Sequence, residues 1–272
     1  MDSLKFTENL AKNAGKILFT RFWNHSISSH LKGDHSPVTE ADLYIDDLIT
    51  TTIRYAYPDD GLISEENQQT YHKNSAAVWV IDPLDGTANF GNGIPVWGVS
   101  IARLIDGWPD LGVLYFPVTG DLFSARHGGG AIHNGRPLRS NQSNPTSFFA
   151  CCSRTHRKYQ IEVPYKARIS GSVAFNMAAV ARGAAVINLE VAPKLWDIAA
   201  GWLILQESGA EVEIFAGESP FPVVPNIDYD QPRFSTLAAV SKSELQKAHR
   251  WIHPRPGQVT TNVKENESFG NE

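Results

Sequence analysis

The sequence predicts an α+β fold, and three observations carry that prediction. Two amphipathic helical stretches open the chain. A run of short apolar stretches separated by Asp-Gly and Asn-Gly turns follows, the pattern of an antiparallel meander. The second half then alternates helical and extended patterns, as a mixed α/β unit does.

Leu4, Leu10, Ala14, Ile17, Leu18 and Phe22 recur at helical spacing and predict one helix over 3–23. The polar stretch 28–37 holds Gly33 and Pro37 and reads as an exposed loop. Thr39 followed by Asp42 has the spacing of a capping box. The helix it opens ends near Tyr57, with Leu43, Ile45, Leu48, Ile49 and Ile53 on its buried face. The turn 58–61 leads to a short strand, 62–64, that stops at Glu65 and Glu66. A polar connection, 71–77, leads into Val78 to Ile81, an apolar and β-branched run that reads as a buried strand. Asp82 ends it, because Pro83 lacks the backbone N–H that the next ladder bond would need. Asp85, Gly86 and Thr87 suit a tight turn into a short helix.

Beyond Phe90, 96–105 and 111–116 are strand-like and joined by Asp106-Gly107. Strands at 122–126 and 130–133 follow, the latter closed by Asn134-Gly135. The polar stretch 141–147, with Pro145, is the expected boundary between two halves, 1–140 and 141–253. The second half reads as helix 171–182, strand 184–189, helix 196–208 and strand 211–215. A Pro-rich irregular excursion over 217–232 comes next, then strand 235–240 and helix 243–252. Ser243 is the expected cap of that last helix, with Ser241 the alternative. Residues 254–272 lack apolar periodicity and read as a disordered polar tail.

With 272 residues, 42% hydrophobic and 19% charged, the chain can bury a sizeable core. A net charge of −5 without a basic stripe argues against nucleic acid as a partner; the densest basic stretch, 154–158, reads as a solvated helix or loop. The two cysteines, Cys151 and Cys152, are adjacent, so no framework of disulfides is expected. The histidines show no zinc-ligand spacing. No apolar run approaches the ~20 residues of a membrane span, and 1–22 is amphipathic rather than a secretory signal. A cytoplasmic protein without a membrane partner is the expectation.

Two carboxylates three residues apart, Asp82 and Asp85, sit at the carboxyl end of a core strand. Such a pair can hold a divalent cation through oxygen, and the amides around Gly86 and Thr87 can bind an anion. Glu65 and Glu66 close another strand, and Asp197 begins a helix after Trp196. Each has a structural reading as well: strand-end acids are often solvated, and Asp197 taken alone reads first as a helix cap. Gly128 to Gly130 lacks the Gly-Lys-Ser/Thr of a P-loop and reads as a tight bend between strands.

Four segments together carry a family resemblance: Ser-Pro-Val-Thr-Glu-Ala-Asp (36–42), Ser-Glu-Glu (64–66), Asp-Pro-Leu-Asp-Gly-Thr (82–87) and Trp-Asp-Ile-Ala-Ala-Gly (196–201). A glycine-rich hairpin at 128–135 adds to them. The chain resembles the inositol monophosphatase family, magnesium-dependent and lithium-sensitive sugar phosphatases, from its first helix to about Ile252. The resemblance implies a layered αβαβα sandwich and hydrolysis of an inositol monophosphate. The same chemistry on fructose 1,6-bisphosphate, histidinol phosphate or a nucleotide 3′-phosphate is the alternative, and a non-catalytic regulatory member is a further one. It implies a small phosphorylated polyol or sugar as partner, and a homodimer.

Carried over residue by residue, the resemblance gives one magnesium to Glu65, Asp82 and the Leu84 carbonyl and a second to Asp82, Asp85 and Asp197. Glu65 would share a third through water. Thr87 and Asp42, assisted by Glu65, become the water-activating group. Their structural readings are a helix N-cap for Thr87 and the capping-box partner of Thr39 for Asp42. Gly86 and Thr87 would hold the phosphate by their amides. Gly171, Ser172 and Val173 stand where the family has Gly-Thr-Ala, and Glu190 where it has its polyol-binding glutamate; the larger Val173 would crowd that pocket. Lys32 falls near the position of the family's mobile-loop lysine and reads first as a solvated surface residue. Ala88 stands where nucleotide-bisphosphate and histidinol-phosphate relatives tend to carry Lys, which points toward the inositol branch.

Overall fold

The computed structural model describes residues 2–24, 29–31, 37–67, 70–72, 75, 77–140 and 146–255. Lys32, Ser36, most of 141–147 and the tail from 256 lie outside them. The first half holds α1 (Ser3–Trp23), β1 (Ser29–Leu31), β2 (Pro37–Thr39), α2 (Glu40–Ala56), β3 (Gly61–Ser64), β4 (Val78–Asp85) and α3 (Thr87–Gly91). The meander follows as β5 (Gly98–Ile105), β6 (Trp108–Phe116), β7 (Asp121–Arg126), β8 (Gly130–His133) and β9 (Arg136–Pro137). The second half begins with β10 (Phe148–Cys151), α4 (Thr155–Lys158), β11 (Tyr159–Ile161), β12 (Ala167–Arg168), α5 (Val173–Ala181), β13 (Ala185–Glu190) and α6 (Leu195–Ser208). It closes with β14 (Glu211–Ala216), β15 (Ser235–Ala239), α7 (Lys242–Trp251) and β16 (Ile252–Pro254).

A seven-stranded sheet, ordered β3-β4-β5-β6-β7-β8-β9, and a five-stranded sheet, ordered β12-β10-β13-β15-β14, are the two frames. Helices α1 and α2 cover one face of the larger sheet, while α5 and α6 contact both sheets and separate them. On the far side of the smaller sheet lies α7. The layers therefore run α-β-α-β-α, the sandwich expected above. Helix α6 buries Leu195, Trp196, Ile198, Leu203, Ile204 and Leu205, so it is apolar nearly all round, as a helix between two sheets must be. One apolar core runs from β4 to β7 through α5 and α6 into β10, β13 and β15. A second core lies between α1, α2 and the outer face of the larger sheet. Among the described residues no helix is long and apolar enough to cross a membrane.

Several expectations need correction. Strand β4 does not end at Asp82: it pairs with β5 through Asp82 opposite Ser100 and again through Asp85 opposite Gly98. Three steps along β4 face two along β5, so a bulge absorbs the N–H that Pro83 lacks and the ladder resumes. The stretch read as a loop at 28–37 contributes a short antiparallel pair, β1 with β2. Leu43 is 47% exposed, because α2 turns Asp42 and Asp46 inward beside Ile45 and Ile49. Ser241, not Ser243, caps α7 by accepting from the Glu244 amide at 3.3 Å. Strands β10, β11, β12 and β16 carry too little periodicity of their own to be read, whereas the single turn α4 falls on the basic stretch 154–158 read as a solvated helix or loop. The 217–232 excursion holds no helix or strand, as expected.

Candidate active site

The site lies where the carboxyl end of β4 meets the N-termini of α2, α5 and α6. At the bulge, Asp82 is 2% exposed and Asp85 5% exposed, so both carboxylates are presented from inside the protein. Asp82 accepts from the Leu84 amide at 2.9 Å, which folds the 82–85 turn back on itself. Gly86 follows at φ +92°, a left-handed conformation, and caps α3; a Cβ there would stand 2.9 Å from the Val96 carbonyl oxygen. Thr87 is thus the first helical residue rather than the cap. Its hydroxyl lies 2.9 Å from both Asp42 Oδ1 and the Leu84 carbonyl, and with one proton it donates to one of them at a time.

Asp42 is placed by the capping box the sequence predicts. Its Oδ2 accepts from the Thr39 amide at 2.8 Å and from the Thr39 hydroxyl, and the Thr39 hydroxyl accepts from Ala41. Capping and contact with Thr87 therefore coexist in one carboxylate, each on its own oxygen. Burial raises the Asp42 pKa, while the hydrogen bonds from Thr39 and Thr87 oppose the rise.

Asp85 reaches across to the second half. It accepts from the Ser172 hydroxyl and from the Val173 and Ala174 amides, both at 3.1 Å. The carboxylate thus sits on the open N-terminus of α5, where free N–H groups and the helix dipole favour negative charge. Burial nevertheless lifts its pKa to about 6. Ser172 also caps α5 by accepting from the Phe175 amide at 3.1 Å. Gly171, at φ +80°, packs against the Asn89 side chain, whose amide donates to Val96 and Ser170 carbonyls at 2.7 Å each. Asn89 is a residue the sequence reading did not single out. It ties α3 directly to the 170–172 turn.

Asp197 is the third residue of α6 and accepts from the amide of Lys194, the N-cap, at 2.8 Å, so it is the returning half of a capping box rather than the cap itself. It is also drawn into the carboxylate group. Burial first, then the charges of Glu65 and Asp85, hold its pKa well above the usual range. Asp82 is pushed up likewise, by burial and then by the charges of Glu65, Asp85 and Asp197. Glu65 follows β3, with its amide donating to the Ile81 carbonyl at 3.2 Å. All four predicted metal-ligating carboxylates are thereby brought into one electrostatic neighbourhood. Among the described residues no three His, Cys, Asp or Glu side chains are gathered, as they stand, into a group that could hold a metal ion. The chemistry of the set still fits a hard divalent cation: the side-chain donors are all carboxylate oxygens, they repel one another, and a cation would relieve the repulsion.

Glu190 ends β13 and is 1% exposed. Its Oε1 accepts from Asn176 on α5 at 2.7 Å and from Asn188 at 2.9 Å. Burial raises its pKa to about 7, opposed by the two asparagines and reinforced by the Asp85 charge. The asparagines escaped the sequence reading. Asn188 was open to it, because two residues apart on a strand is one face. The glycine-rich hairpin stands apart from this site: the Gly128 and Gly130 amides each donate to the Glu207 carboxylate at 2.7 Å. Its reading as a bend is therefore the right one.

A model of the inositol monophosphatase family matches residues 2–251. The chain is 34% identical over 221 residues to a histidinol-phosphatase of Chlorobaculum parvum, an alignment that covers 76% of this chain and 83% of that protein. To Nus factor SuhB of Escherichia coli it is 31% identical over 260 residues, covering 90% and 97%. The crystal structure of the extragenic suppressor protein suhB from Bartonella henselae superposes with a TM-score of 0.75 at 28% identity, covering 89% of this chain and 95% of that one.

Proposed function

The chain belongs to the inositol monophosphatase family, and from its site we propose that it is a magnesium-dependent phosphomonoesterase acting on inositol monophosphate. The observation that carries this reading is the convergence of Glu65, Asp82, Asp85 and Asp197 beside the Thr87–Asp42 hydrogen bond. Glu65, Asp82, Asp85, Asp197 and the Leu84 carbonyl would hold two magnesium ions, with Glu65 sharing a third through water. When bound, magnesium supplies Lewis acidity toward water and charge stabilisation for the phosphoryl oxygens and leaving alkoxide. No protein nucleophile is required.

The chain's own groups then have defined tasks. When the Thr87 proton points to Asp42, the hydroxyl oxygen is free to accept a hydrogen bond from the attacking water and aim its lone pair. Asp42 holds that orientation because its other oxygen is fixed by Thr39. Glu65 would draw the water's second proton. The amides of Gly86 and Thr87 would hold the phosphate. Ser172, Val173 and Glu190 line the side from which a polyol would be read, and their joint anchoring through Asp85 and the asparagines keeps them in register with the metal-binding group.

Histidinol phosphate is a second reading, favoured by the histidinol-phosphatase relative at 34% identity. A buried Glu190 suits a substrate ammonium as well as a hydroxyl. Phosphate release from inositol 1-phosphate, histidinol phosphate, fructose 1,6-bisphosphate and a nucleotide bisphosphate, assayed with and without magnesium, separates these. Inositol 1-phosphate is expected to lead in kcat/KM. In the same assay Thr87→Ala should lower kcat about 100-fold, the lower end of what proton-handling groups contribute, with metal binding retained. Unchanged turnover in that variant would remove Thr87 from the mechanism.

A further inference from the structure

Asp42 and Asp46 lie one helical turn apart on α2 and so share a face. Both are buried, at 1% and 0% exposure, and each grips a different part of the site. Asp42 holds Thr87. Asp46 accepts from the Ser64 hydroxyl on Oδ1 and from the Asn67 side-chain amide on Oδ2. Ser64 and Asn67 bracket Glu65, one residue before it and two after. The Ser64 oxygen accepts in turn from the Glu66 amide at 3.4 Å, and the Glu65 amide is fastened to Ile81, the residue before Asp82. The turn that carries Glu65 is thus tied twice to α2 through a single carboxylate and once to β4.

We infer that Asp46 is a positioning residue that sets where Glu65 stands relative to Asp82 and Thr87, and that it governs metal affinity and turnover through Glu65. A glutamate on a turn has three side-chain torsions to fix, and its usefulness as a ligand depends on the backbone beneath it being held. Placing both carboxylates on one rigid helix sets Glu65 and Thr87 at a constant separation. The competing account makes Asp46 only a buried acceptor that helps the protein fold, and it predicts a loss of stability alone. The inference rests on the reading of Glu65 as a metal ligand.

Asn67 is exposed, so Asn67→Ala removes one of the two ties without disturbing the core. Asp46→Asn weakens both. The full chain, stripped of metal, is titrated with Mn²⁺ and followed by electron paramagnetic resonance, alongside thermal unfolding and steady-state kinetics in magnesium. Asn67→Ala is expected to unfold at the wild-type temperature and to bind Mn²⁺ about 10-fold more weakly, the usual scale for groups that orient a ligand. Its kcat should fall while KM for the phosphomonoester stays close to wild type. Asp46→Asn should move the same quantities further. Wild-type Mn²⁺ affinity in Asn67→Ala, together with wild-type affinity in whatever Asp46→Asn folds, would overturn the inference whatever happens to stability. Failure of the wild-type protein itself to bind Mn²⁺ would instead bring down the reading of Glu65 on which it rests.

Discussion

Glu190 illustrates how surroundings decide the charge of a single residue. Its ordinary pKa of 4.5 rises to about 7 because burial outweighs the two asparagine donors. Between those values the folded protein keeps a proton that the unfolded chain has lost. The stability this confers is therefore complete below the unfolded value and disappears as pH rises through the folded one. Glu190→Gln keeps an acceptor for Asn176 and Asn188 but cannot ionise. In chelator, the variant should match wild type near pH 4.5 and be more stable at pH 8, by at most about 3 kcal/mol at 1.36 kcal/mol per pKa unit. Urea unfolding across that range checks it, and parallel curves for the two proteins would contradict the assignment. Asp82 to Thr87 was legible as one contiguous pattern, and Glu190 through the family resemblance. Asn176 and Asp46 were not, since each acquires meaning only when a distant element packs on it.

At the scale of elements, the site depends on how α3 and α5 are hinged to the sheets. Gly171 links β12 to α5 in the left-handed region, with the Asn89 amide against its α-carbon. An added methyl would meet Asn89 Oδ1 at 2.8 Å, and the backbone conformation itself disfavours a side chain. Gly171→Ala should therefore cost about 1–3 kcal/mol. It should also raise KM for the polyol phosphate more than it lowers kcat, because the 171–173 turn moves while the carboxylates stay on β4 and α6. A change confined to kcat would mean that the turn does not read the substrate. The long helices and meander strands were visible in advance because apolar spacing marks them. Pro83 misled for a physical reason: its missing donor forbids one ladder bond, and a bulge lets the strand skip that bond and go on.

For the molecule as a whole, the layered arrangement followed from the family resemblance more than from any local pattern. Two-residue strands such as β12 exist only through their neighbours, and α6 shows its place between two sheets by being apolar nearly all round. That arrangement sets four carboxylates, from β3–β4 in one half and α6 in the other, against each other in a buried cleft. Asp82 and Asp197 are both pushed well above their usual range by burial and mutual charge, and Asp85 to about 6. Rising pH withdraws these protons at a cost to the fold that a cation can offset. Magnesium at 100 times its dissociation constant should add about 2.7 kcal/mol. For a chain of this size that raises the melting temperature by about 5–10 °C over protein in chelator. At pH 5 the rise should shrink, because protons occupy the oxygens that the ion would take. Asp82→Asn, lacking the carboxylate shared by both proposed ions, should lose most of the rise at pH 8 and most of the magnesium-dependent activity with it. Calorimetric scans at the two pH values measure this. A magnesium effect equal at pH 5 and pH 8, or undiminished in Asp82→Asn, would place the ion somewhere other than among these carboxylates.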